Sequence, residues 1–152
     1  MTMDLSTGFQ IELPNVFVRW DIPEKQLQQQ FEGLPLRRVT DGYFTTQCTS
    51  LGGLTHQLGF HFRPRNNGTL VELEFFSGNT CPDPAASYQA FQRHLEGAFG
   101  QPTVTVPGSE GYLSHTWRFP GVDVVHFVQE HFGPTEYVRI RRTRDRGSEL
   151  VN

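Results

Sequence analysis

The chain has 152 residues, of which 36% are apolar and 19% charged, and it carries 13 Phe, 4 Tyr and 2 Trp. A chain this aromatic does not remain disordered, and its length suffices for one core, so a single domain over residues 1–152 is expected. A formal net charge of −3 argues against a protein held mainly by nucleic-acid phosphates or by an anionic membrane.

Residues 1–10 hold neither a basic stretch nor an apolar one, so no signal peptide is visible and a cytoplasmic location is the expectation. No apolar run approaches the ~20 residues of a spanning helix. Residues 9–20 have strand character, interrupted at Pro14. Asp21 then reads as a helix N-cap, with Pro23 in the first turn and Glu24 completing a capping box. Leu27, Phe31 and Leu34 follow at helical spacing until Gly33 and Pro35 stop the helix. Strand-like pieces come next at 36–40, 43–50, 55–63 and 69–76, with a tight-turn signal at Asn66-Asn67-Gly68 between the last two.

Turn-forming residues fill 77–84, and Asp83 with Pro84 starts a second helix. Tyr88, Phe91, Leu95 and Phe99 make its stripe, and Gly100 and Pro102 close it. Strand-like pieces recur at 103–106, 112–119, 122–130 and 136–142, and 143–152 reads as a frayed tail. Cys48 and Cys81 share no CxxC motif and read as reduced thiols, with a disulfide as the alternative. Trp20, Trp117 and most Phe residues read as core, and His94 as surface.

The two halves echo each other. Phe31-Glu32-Gly33 matches Leu95-Glu96-Gly97, and Asp41-Gly42-Tyr43-Phe44 matches Glu110-Gly111-Tyr112-Leu113. His56 and His61-Phe62-x-Pro64 match His126 and His131-Phe132-x-Pro134, and Val71-Glu72-Leu73 matches Val138-Arg139-Ile140. Copies lie roughly 65–70 residues apart, which points to repeat units of about 21–76 and 83–142. The predicted fold class is therefore α+β: two tandem helix-plus-four-strand units forming a curved antiparallel sheet, with two helices packed on one face.

A two-residue turn at Asn67-Gly68 would place Phe62 opposite Leu73 and Phe60 opposite Phe75 on a buried face. Arg63 would then meet Glu72, and His61 would meet Glu74, on the other face. The matching positions of the second unit are Arg139 and Arg141. Arg63, Glu72, Glu74, Arg139 and Arg141 are thus the candidate partner-binding residues, on a face suited to a charged protein surface. The alternative is an ordinary solvated face whose halves neutralise each other.

No catalytic residue is assigned, because no GxSxG elbow or raised-pKa carboxylate pair stands out. Ser50-Leu51-Gly52-Gly53 reads as a turn between strands, not a phosphate loop. No metal or other cofactor is expected, since the i, i+5 spacing of His56/His61 and His126/His131 puts each pair on opposite strand faces. The arginines of 139–146 do not interleave with aromatics, which speaks against nucleic acid.

Phe91-x3-Leu95-x3-Phe99-Gly100-x-Pro102-Thr103, then Trp117, then Gly133-Pro134 before Val138-x-Ile140, resembles a pattern of small bacterial toxin-immunity-type proteins. The resemblance covers mainly residues 85–142 and implies a cytosolic protein that binds and blocks a toxin. The tandem plan is also similar to two-repeat proteinaceous inhibitors and to the saddle of TATA-binding proteins. The leading functional expectation is a non-catalytic, immunity-type toxin inhibitor. The alternatives are a secretion chaperone or adaptor holding an extended cargo segment, and a small hydrolase or metal enzyme using a pocket around His56, His126 and Cys48.

Overall fold

Alternating burial along the chain sets up one dominant element, an antiparallel sheet with a dry face and a wet face. The computed structural model describes residues 4–64, 68–77, 83–130 and 133–143. Asn66 and Asn67 of the expected turn, Cys81, His131, Phe132 and the tail beyond Thr143 lie outside these residues. In β4 (Tyr43–Ser50) Phe44, Thr46, Cys48 and Ser50 are buried while the residues between them are not. The same alternation runs through β9 (Val122–Glu130), where Val122, Val124, His126 and Val128 point inward. Period-two burial of this kind is what a sheet covered on one side requires.

Eight strands build this sheet: β3 (Arg37–Thr40), β4, β5 (Leu54–Arg63), β6 (Thr69–Phe76), β7 (Val104–Pro107), β8 (Leu113–Phe119), β9 and β10 (Pro134–Arg142). Their order is β3-β4-β5-β6-β10-β9-β8-β7, so hairpins run outward on both sides of a central, antiparallel β6–β10 seam. One cross-sheet row spans all eight strands: Arg37, Thr45, Gly59, Glu74, Arg139, Val125, Thr116 and Val104. Both edges are short. Arg37 and Arg38 lie on one, and Pro107, which has no N–H to offer, ends the other.

The predicted α+β architecture is corrected by the structure. Among the described residues the chain is mostly β, with ten strands and two α-helices, and β1 (Gly8–Ile11) and β2 (Val16–Arg19) form a separate two-stranded sheet. Residues 9–20 are not one interrupted strand. They close a hairpin whose Phe9, Ile11 and Val18 are buried, and Phe9 meets Phe75 edge-on at 5.4 Å. This small sheet takes up core surface that the tandem plan gave to helices alone.

The first helix, α1 (Glu24–Gln30), has only seven residues. Its N-cap is Pro23 and no side chain caps it. Asp21 instead stands at φ 66° and donates its backbone N–H to Leu70, so the expected capping box does not form.

The second helix, α2 (Pro84–Phe99), follows its predicted stripe. The Asp83 carboxylate accepts from the Ala85 N–H at 3.1 Å, and Ser87, Phe91, Leu95 and Phe99 are buried. Phe91, Leu95 and Phe99, with Leu27 and Phe31 of α1, share one core with Phe44, Leu58, Phe60, Phe62, Leu73, Phe75, Trp117, Val124, Val138 and Ile140 of the sheet. Each large side chain so buried contributes about 1.5–3 kcal/mol. Trp20 also lies in the core, its indole N–H donating to the Leu5 carbonyl at 2.8 Å.

The β5–β6 hairpin departs from the predicted pairing. β5 ends at Arg63 opposite Thr69, and a bulge between β5 residues 61 and 62 shifts the register. Phe60 faces Leu73, Leu58 faces Phe75, His61 faces Glu72 and Gly59 faces Glu74. The dry and wet faces keep the predicted composition, but each partner is displaced along the strand.

Candidate functional site

Chemistry gathers at the centre of the open face, along the β6–β10 seam. Glu72 and Glu74 stand on β6, directly opposite Arg141 and Arg139 on β10. Arg139 bonds Glu72 at 2.7 Å and reaches Glu74 at 3.5 Å, while Arg141 lies 3.5 Å from the second Glu72 oxygen. Glu72 is only 6% exposed in its side chain, sheltered by the two arginines. Of the five predicted partner-binding residues, four therefore meet in one cluster. Arg63 does not join them: it ends β5, opposite Thr69, and is exposed.

The expected contacts of Arg63 with Glu72 and of His61 with Glu74 as direct cross-strand pairs are both revised. His61 is directly opposite Glu72 but leans diagonally, and its Nε2 lies 2.9 Å from Glu74 Oε1. Tyr43 stacks on His61 at 4.4 Å and extends its hydroxyl to Glu74 at 3.4 Å. It crosses β5 to do so, over Gly59. A Cβ at Gly59 would stand 2.8 Å from Cε1 of the Tyr43 ring, so only glycine leaves room for this approach.

Electrostatics follow from this crowding. Burial first, and the Glu74 charge second, push the Tyr43 phenol up to about 12. The hydrogen bond from His61 holds the Glu74 carboxyl below its ordinary value, helped by the Arg139 charge and opposed by burial. Beyond the charges, Tyr137 stacks on Phe127 at 5.0 Å and lies under the Arg139 guanidinium at 5.5 Å. The face is thus a half-buried plate of aromatic rings and mutually paired charges. Sequence reasoning missed Tyr43, Phe127 and Tyr137; the one available signal was Gly59, an interior strand glycine.

The covered face holds a different set of polar groups. His56 accepts a hydrogen bond from Ser50 Oγ at Nε2, 2.6 Å away, and its Nδ1–H donates to the Gln57 carbonyl at 2.9 Å. Cys48 Sγ is 4.0 Å from the same Nε2. His56 and Ser50 are fully buried, and the His56 ring lies against Phe75 and Phe91. Burial lowers the His56 pKa and pushes the Cys48 thiol up to about 12.

His126 lies beyond Phe91, whose ring stands 6.1 Å from His56 and 6.4 Å from His126. The structure therefore separates the histidines that a shared pocket would need. Among the described residues no group of three His, Cys, Asp or Glu could hold a metal ion.

One further site differs from expectation, and one turn follows it. His94 is half-buried and donates from Nδ1 to the Leu51 carbonyl at 2.7 Å. The turn at Leu51-Gly52-Gly53 has three successive positive φ angles, 55°, 74° and 97°. Its Gly52 and Gly53 N–H groups both bond the Glu12 carboxylate, at 2.8 and 2.9 Å. The turn is an anion cradle filled by the chain's own side chain.

Compared with known proteins, the chain matches no family model, no curated protein and no solved structure. Among the described residues no helix is long and apolar enough to cross a membrane.

Proposed function

We propose that this protein is a non-catalytic binding protein whose open sheet face docks on another protein, acting as an immunity-type inhibitor that covers a toxin's active site. The observation that carries the reading is the plate formed by Tyr43, His61, Tyr137, Phe127 and Arg139. Tyr and Arg are the residue types enriched where interfaces concentrate their energy, and here their orientations are set in advance by stacking and ion pairing. Preorganisation of this kind lowers the entropy cost of docking. Arg141, the more exposed arginine at the seam, is 45% exposed in its side chain and supplies a charged rim contact.

The face supports this reading better than the edges support an adaptor that adds a cargo strand. Arg37 and Arg38 occupy one edge and Pro107 ends the other.

Co-expression with the products of neighbouring genes tests the function. One neighbour is expected to be toxic alone, to be neutralised by this protein and to co-purify with it. Absence of any toxic neighbour, or relief of toxicity without a complex, contradicts the reading.

A further inference from the structure

Resting on the reading of the open sheet face as a docking surface, we infer that this face, when no other protein occupies it, closes on the same face of a second copy. The two copies are related by a two-fold axis that runs along the strands, between β9 and β10.

A row of side chains crosses six strands of this face. The registers place Tyr43, His61, Glu72, Arg141, Asp123 and Arg118 opposite one another in turn, on β4, β5, β6, β10, β9 and β8. Their chain neighbours Phe44, Phe60, Leu73, Ile140, Val122 and Trp117 are buried, so the row itself faces outward. From Glu72 to Arg118 the charges alternate: minus, plus, minus, plus. An alternating row with an even number of charges is complementary to its own reversal. Turned end for end, Glu72 meets Arg118 and Arg141 meets Asp123, and each contact recurs on the other side of the axis. A row of one sign, or an odd number of alternating charges, would meet itself with like charges.

The direction of the axis follows from the neighbouring rows. A two-fold along the strands reverses the strand order but keeps every row at its own level. The charged row then meets the charged row, and Phe127, stacked on Tyr137 within one copy, lies over Tyr137 of the second copy. In the row between, Arg139 falls opposite Val125 and Glu74 opposite Thr116, so these residues bring no like charges together. An axis across the strands would instead invert the levels and set the charged row on the aromatic one. Two twisted sheets packed face to face keep their strands within about 30° of each other, as this axis requires.

Asp123 and Arg141 stand nearest the axis. Arg141 is exposed, whereas Glu72 is sheltered by Arg139 and Arg141. The two Asp123–Arg141 contacts therefore set the register. Six strands about 4.8 Å apart and three levels about 6.8 Å apart make a plate of roughly 600 Å² per copy. That is less than the ~800 Å² of a stable pair, so the dimer is weak and reversible, and a tighter-binding protein displaces the second copy.

Sedimentation equilibrium of the full-length protein alone, from about 10 μM to about 1 mM, is expected to pass from monomer to dimer. Asp123→Lys and Arg141→Glu each set like charges beside the axis and are expected to weaken self-association about tenfold or more. An equimolar mixture of the two variants is expected to associate again, because opposite charges then face each other in the mixed pair. Near-ultraviolet circular dichroism checks that each variant is folded. A further readout needs no variant: in a mixture of carbon-13-labelled and unlabelled protein, Overhauser contacts between copies are expected from Phe127 to Tyr137. A monomer throughout the range overturns the inference, as does association that Asp123→Lys leaves unaltered. So does a mixture no more associated than its folded components, or a dimer without the Phe127–Tyr137 contact. A monomer that still co-purifies with a toxic neighbour removes the second copy while keeping the docking of another protein.

Discussion

Arg139 and Glu72 form a 2.7 Å ion pair across the seam that joins the two halves of the sheet. Glu72 is buried on what is otherwise the wet face, because Arg139 and Arg141 both fold over it. A carboxylate withdrawn from water this far relies on its partners.

Glu72→Gln is expected to destabilise the protein by about 2–3 kcal/mol, less than a fully buried pair because Arg139 keeps some solvent contact. Urea unfolding measures it. Replacing both partners together, Glu72→Leu with Arg139→Leu, is expected to recover much of the loss. A change in Glu72→Gln below about 0.5 kcal/mol would show that the pair is dispensable.

Gly59→Ala places a methyl group against the Tyr43 ring. The expected cost is about 1 kcal/mol, since the ring can swing away. In swinging, the phenol leaves Glu74 and its pKa falls from about 12 toward the ordinary tyrosine value. Ultraviolet titration reads that shift directly, and an unaltered titration would mean that the ring does not depend on the gap.

Much of the outline was legible before the structure. The bounds of β4, β6 and β9 and the stripe of α2 follow from period-two and helical spacing, because local burial dictates both. The pairing across β5–β6 was not legible. A two-residue loop fixes register only if the ladder is regular, and here the connection is longer and the ladder is bulged. Face parity survived the slip, which is why Glu72, Glu74, Arg139 and Arg141 were correctly placed on one face while their partners were not. The hairpin of β1 and β2 escaped because its role is tertiary: Phe9 and Ile11 are explained by the sheet they cover. Asp21 resembles an N-cap in sequence, but its backbone is committed to Leu70.

Glu74 makes stability depend on pH in the acid range. Its pKa is lowered in the folded protein, chiefly by the hydrogen bond from His61. Its contribution is therefore complete above the unfolded value of about 4.3 and is lost as pH falls through the lower, folded value. Glu74→Gln is expected to flatten the acid limb of the stability–pH curve. An acid limb of unchanged slope would assign that dependence to other groups.

Cys48 is buried, and its thiol is pushed up to about 12. In a Cys81→Ser background it is expected to resist thiol reagents at neutral pH and to react once urea unfolds the chain. Rapid labelling of the native protein would contradict its burial on the covered face beside His56.

The proposed docking surface is the open face at the β6–β10 seam, and the affinity of two variants for the purified partner decides whether it is. Tyr137→Ala removes a preorganised ring from that face; Arg93→Ala alters the exposed side of α2. Tyr137→Ala is expected to weaken binding tenfold or more, equivalent to at least ~1.4 kcal/mol, while Arg93→Ala leaves it unchanged. Equal affinity for Tyr137→Ala and the unaltered protein, or a loss confined to Arg93→Ala, would place the interface elsewhere and contradict the account.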